Sequence, residues 1–239
     1  MAYDFLGLTN KVLTRVNEVN LTTSTFDSAS GFFAHAKDSV NNSIRDINQE
    51  QFEWPFNFTE HTETLVAGQV KYDYPSDVKR IDYESFRIQR DDSLNVETVR
   101  LKPITYDDYL KHYSDYEYNT DTSIRNTPVS VFKRNNRSYG IIPSPDEAYS
   151  LTFDYFNIPD DLDDATDVPS LPQSFEPVIT DGAMYHVYMF RGNPEAAQVA
   201  QQKFLDGIKD LRKIHINKYE YVTDTRIIRP RSSRYLRIN

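Results

Sequence analysis

The sequence predicts an α+β fold: a bundle of N-terminal and C-terminal helices, a central, mostly antiparallel β-sheet domain, and an extended basic C-terminal tail. Three observations carry this. Apolar residues recur at helical spacing near both ends of the chain, they alternate at β spacing through its middle, and the charge changes sign close to the C-terminus. Helices segregated by sequence from strands argue α+β, with the terminal helices packing together.

Phe5, Leu8, Val12, Leu13, Val16 and Val19 form one apolar stripe, which predicts a helix from Phe5 to Val19. After the polar stretch Thr22 to Ser30, a second stripe of Phe33, Ala36, Val40, Ile44 and Ile47 runs toward Phe52 and Trp54 and stops at Pro55. The two make a helical hairpin, with Phe32, Phe33, Phe52 and Trp54 expected between the helices.

From Phe56 the pattern turns to short β-type runs: Glu60 to Val66, Val70 to Tyr74, Tyr83 to Gln89 and Glu97 to Leu101. Thr105 to Tyr113 reads as a short helix capped by Thr105 with acids in its first turn, followed by a long polar loop from Ser114 to Thr127. Val129 to Phe132 and Tyr139 to Ile142 flank Asn135-Asn136-Arg137 as a hairpin, and Leu151, Phe153 and Tyr155 mark a last strand; all are expected in the same sheet.

Asn157 to Pro172 holds five aspartates between prolines and reads as a solvated linker. It lacks the glycine turn and terminal glutamate of a calcium loop. A third helix is expected from Phe175 to Phe190, and Asn193-Pro194-Glu195 starts a fourth, with an asparagine cap, proline at the first helical position and an acid in the first turn. The divisions expected are a helical hairpin over 1–55, a β domain over 56–158, an acidic linker over 159–172, a helix pair over 173–217 and a docking tail over 218–239.

The charge is uneven. From Arg226 onward there are five arginines and no acid, so a net −9 for the whole chain leaves −14 on the residues before them. Arg226, Arg229, Arg231, Arg234 and Arg237 are interleaved with Ile227, Ile228, Tyr235 and Leu236, a mixture that points to docking on a partner rather than to a solvated tail. The acidic body argues against general nucleic-acid affinity.

Composition removes several chemistries. There is no cysteine, so disulfides, thiolate nucleophiles and cysteine-based zinc sites are out. The five histidines show no ligand spacing, the seven glycines form no phosphate-cradling cluster, and Gly-x-Ser-x-Gly is absent. No metal and no cofactor is expected. The 17 tyrosines and 14 phenylalanines fall mostly on strand and helix positions, where core or subunit contacts are expected over base stacking. No apolar run spans a membrane, and the early acid in Met1-Ala2-Tyr3-Asp4-Phe5 does not suit a secretory signal; synthesis in a host cytoplasm is expected.

Several phrases in order resemble a family. Trp54-Pro55-Phe56, the run Leu65 to Asp77 with its Gly68-Gln69-Val70 turn, and Ile142-Pro143-Ser144-Pro145-Asp146 leading to Leu151-Thr152-Phe153-Asp154-Tyr155 look like the central sheet of tailed-phage head-to-tail adaptors. Leu171-Pro172, Gly182-Ala183 and Gly192-Asn193-Pro194-Glu195-Ala196-Ala197 are similar to the closing helix pair of that family, whose short-tailed-phage members are called tail tubular protein A.

The resemblance implies a structural virion protein at the neck, a homo-oligomeric ring of about twelve copies closed by head-to-tail contacts. Its implied partners are the portal protein, the tail tube or nozzle and the tail fibres, with double-stranded DNA passing through without specific binding and no membrane. No catalytic residue is implied. Two other readings follow from the residues: the basic tail could grip phosphates, with binding that falls steeply as salt rises, or a glutamate or aspartate could serve a peptidoglycan-cleaving neck component.

Overall fold

A computed structural model describes residues 2–51, 53–92, 95–115, 121–135 and 137–215, and the fold is α+β. Its helices are α1 (Phe5–Arg15), α2 (Thr23–Phe26), α3 (Phe32–Glu50), α4 (Tyr106–His112), α5 (Glu176–Phe190) and α6 (Pro194–His215). Its strands are β1 (Phe58–Thr64), β2 (Lys71–Asp73), β3 (Val78–Ile81), β4 (Arg87–Asp92), β5 (Asn95–Arg100), β6 (Lys102–Ile104), β7 (Ser130–Lys133), β8 (Ser138–Ile142) and β9 (Ser150–Asn157).

The bundle is α1, α3, α5 and α6. Asp4 starts α1 by accepting the Gly7 N–H at 2.7 Å. The helix stops at Arg15, short of the expected Val19, because Asn17 takes a left-handed φ of 57° and the Glu18 N–H turns back to the Leu13 carbonyl at 2.9 Å. Val19 is therefore largely exposed.

The polar stretch after it contains an unexpected turn of helix, α2, held by reciprocal capping between Thr22 and Thr25. It places Phe26 edge-on against Phe5 at 5.0 Å, with the Lys37 ammonium 4.0 Å from the Phe26 ring centroid. Each such buried ring contributes about 2–3 kcal/mol.

Helix α5 packs against α1, α3 and α6. Gly182 permits the closest approach, since a Cβ there would collide with Ser43 on α3 and come within 2.8 Å of Phe204 on α6. The turn into α6 uses Gly192 at φ 69° and the Asn193 side chain, which accepts the Ala196 N–H at 3.1 Å as the sequence predicts.

The middle of the chain forms two sheets, not the single sheet expected. One runs β1-β9-β4-β5, with β3 also pairing β9; the other runs β2-β8-β7-β6, antiparallel except for β6 and β7. The reason lies in β8, which is buried on both faces. Tyr139 and Ile141 face the first sheet's Phe86, Ile88, Leu151 and Phe153, while Phe132 and Ile142 face Tyr109 of α4 on the other side. One solvated face could not cover both sets.

Between Phe56 and Pro103 the boundaries also move: β4 begins at Arg87, not Tyr83, and β3 was not foreseen. β3 meets one end of β9, pairing Ile81 with Tyr155, while β4 meets the other, pairing Arg87 with Thr152.

The acidic segment 158–172 contains no strand or helix and is fastened to the bundle. Asn41 of α3 holds Leu162 with two hydrogen bonds, of 2.9 and 3.1 Å, and Arg45 pairs with Asp161. The Phe5 and Leu6 N–H groups, unpaired within a helix's first turn, donate to Asp167 and Ala165 carbonyls at 2.8 and 3.0 Å. The segment is a strap across the start of α1, with Ala165 and Leu171 in the bundle core. Asp167 organises it by accepting the Asp163 and Asp164 N–H groups, both at 2.9 Å.

Candidate functional site

The residues expected to dock, Arg226, Ile227, Ile228, Arg229, Arg231, Arg234, Tyr235, Leu236 and Arg237, lie outside the described residues. Their point of departure does not. α6 ends at His215, whose ring packs 5.2 Å from Phe175 and 6.5 Å from Phe56.

That corner is where bundle and sheets meet. Trp54 stacks on Phe56 at 5.4 Å, meets Phe175 edge-on at 5.2 Å, and donates its indole N–H to the Ile47 carbonyl at 3.0 Å. The expectation that Trp54 is core holds, Phe32 and Phe33 pack at the core's margin, and Phe52 lies outside the described residues.

Helix α3 ends in this corner with neither a glycine nor a basic residue in its last turn. Its free carbonyls are satisfied from elsewhere: Lys79 on β3 donates to Asn48 and, at 3.3 Å, to Gln51, while Arg212 on α6 donates to Glu50. Burial in this contact lowers the Lys79 pKa. Asn57 locks the corner by donating to Asn48 at 2.7 Å. No sequence pattern marks these four contacts, because the donors come from other elements.

The histidines, scattered in sequence, are partly gathered. His35 stacks on Phe190 at 4.2 Å and its Nε2 lies 3.4 Å from the His186 carbonyl, while His186 Nε2 lies 3.1 Å from Asp46. Among the described residues no three His, Asp or Glu side chains form a group able to hold a metal.

The sheet tyrosines are committed to packing. Phe86 stacks on Phe153 at 4.5 Å, Tyr72 and Tyr74 stack on Tyr139 at 5.7 and 5.4 Å, and Tyr139 donates to Glu63 at 2.8 Å. Burial raises the pKa of Tyr72, Tyr74 and Tyr139, which stay neutral. Tyr72 and Tyr139 are buried, whereas Tyr74 is half-buried at the groove beside β3.

Other surfaces stand out by composition. Tyr106, Leu110 and Tyr113 are exposed along α4, and Met189 and Phe190 at the end of α5. Lys133, Arg134 and Arg137 gather at the β7–β8 hairpin. Lys71 on β2 feels Arg134, its pKa lowered first by burial and then by that charge. Among the described residues no helix is long and apolar enough to cross a membrane.

The described residues build one core in the bundle and strap, a second between the sheets and a small third one under α4. A family model described as SU10 adaptor protein matches residues 3–231, so the match covers bundle, strap and both sheets and runs through Arg226 and Arg229 to Arg231. It agrees with the head-to-tail adaptor resemblance of the sequence phrases. No curated protein matches the chain.

Proposed function

We propose, from the premise that the chain belongs to the SU10 adaptor protein family, that this phage adaptor works as a closed ring of about twelve copies seated between the portal and the tail tube or nozzle. The match across residues 3–231 is the observation that carries the reading.

In this reading the bundle supplies side-to-side contacts, the paired sheets face outward and toward the tail, and residues 218–239 dock on a neighbouring subunit or the portal. The protein is structural and does no chemistry. A ring built from bodies of net charge −14 repels phosphate, so DNA slides through its channel without sticking. The capping of α3 by Lys79 of β3 supports the same role, since a channel segment under load needs its bundle and sheets tied together.

The test is a light-scattering mass of the protein alone and mixed with the portal ring of the same virus. A gain of about a dozen chains per portal is expected. No gain from folded protein would overturn the reading.

A further inference from the structure

We infer that the segment Arg226 to Arg237 of one copy docks in the groove between α3, α5 and α6 of a neighbouring copy; the inference rests on the adaptor reading and names the acceptor of its tail. The groove has a volume of about 210 Å³, room for one or two aliphatic side chains. Its floor is apolar, built from Gly182 and Tyr185 of α5 and Phe204 and Leu205 of α6, and its rim carries Asp46 and Glu50 of α3, one helical turn apart.

This groove combines carboxylates and apolar side chains with no lysine or arginine in its lining, and the cation nearest its rim is Arg212 beside Glu50. The groove between α1, α5 and α6 carries Arg15 and Lys203. Those along the strap carry Lys37, Arg45 or Lys79, and the one beside β3 carries Lys79, Arg80 and Lys133 without an acid. A segment with five arginines among isoleucine, tyrosine and leucine is complementary to the first and repelled by the cations of the last.

The rim carboxylates have partial partners already: Asp46 lies 3.1 Å from His186 Nε2, and Glu50 lies 3.4 Å from Arg212. Both carboxylates stay about half exposed, at 42% and 46%, so lone pairs remain for an incoming guanidinium.

Reach is sufficient. Arg237 stands 22 residues beyond His215, up to about 70 Å of extended chain, more than the roughly 45 Å diameter of a globule of this length. Donor segment and acceptor groove are different patches of one chain, as a head-to-tail ring contact requires.

The experiment uses full-length chain with p-benzoylphenylalanine placed at Tyr235, assembled on the portal ring from equal isotopically light and heavy copies. Photolysis is expected to give mixed-isotope crosslinks from position 235 to residues 46–50 and 201–205. Asp46→Lys with Glu50→Lys, which removes both rim carboxylates, should cut their yield by about tenfold or more. Copies carrying Arg226→Glu, Arg229→Glu and Arg231→Glu, mixed with copies carrying Asp46→Arg and Glu50→Arg, should restore it, which separates lost docking from lost folding. Crosslinks confined to one copy, directed to the portal, or indifferent to the charge reversals overturn the inference while the portal mass gain still upholds the adaptor reading. Absence of that mass gain overturns both.

Discussion

The ammonium of Lys79 donates to the main-chain carbonyl of Asn48, so a strand of the sheets caps the last turn of a bundle helix. The contact joins two hydrophobic cores that share no side chains. Its energetics, and those of three other contacts, are open to direct measurement.

Lys79→Met should lower stability by about 1 kcal/mol, the usual worth of a cation at a helix C-terminus, and Lys79→Arg should recover most of it. Trp54, the single tryptophan and fully buried in the corner, reports unfolding in urea by fluorescence. An unchanged midpoint for the methionine variant would show that water caps α3 equally well.

Gly140→Ala should detach α4. A Cβ at this β8 position would overlap the Phe132 ring, which stacks on Tyr109 at 4.0 Å. Overpacking of this kind costs about 1–3 kcal/mol, with faster amide exchange in α4 and little change in the bundle. Equal effects on both cores would contradict the separation of the small α4 core from the rest.

The strap should loosen in acid. The main-chain N–H groups of Asp163 and Asp164 hold the Asp167 carboxyl below its ordinary range. A depressed folded pKa means that the contribution is complete above an unfolded value of about 3.9 and disappears as pH falls through the folded one. The protection of the Phe5 and Leu6 amides, relative to the intrinsic exchange rate at each pH, should therefore fall below about pH 4, and Asp167→Ala should reproduce the loss of protection at neutral pH. Protection that persists in the alanine variant would mean that Asn41, Arg45 and the buried Ala165 and Leu171 hold the strap without Asp167.

The sheets should weaken in alkali. Tyr155 donates to both Asp77 oxygens, at 3.1 and 3.0 Å, and burial together with that carboxylate pushes its pKa from 10.0 up to about 12. Tyr3, half-buried and donating to the Leu171 carbonyl at 2.8 Å, is also pushed up to about 12 by burial. A raised folded pKa stabilises the protein fully below the unfolded value of 10.0, and this is lost as pH rises toward about 12. The urea midpoint should fall over that window, less steeply in Tyr155→Phe. Identical slopes would place the alkaline sensitivity elsewhere.

The sequence by itself determined the elements whose signals are local. The stripes of α1 and α3, the Thr105 cap of α4, the Asn193-Pro194 start of α6 and the β7–β8 hairpin are all legible, because a helix or a hairpin brings together residues only a few positions apart. Composition likewise gave the acidic body and the basic tail, and ordered phrases gave the family. The tertiary structure alone decided the rest. Whether β8 is covered on one face or two depends on strands far from it in sequence, so two sheets could not be told from one. β3 is short and has no alternation to mark it, and it exists because β9 offers an edge long enough for two partners. The caps of α3 come from Lys79 and Arg212, and the strap's order comes from Asn41 and the open N–H groups of α1. Each unpaired main-chain group demands a partner, but nothing local says which distant residue supplies it.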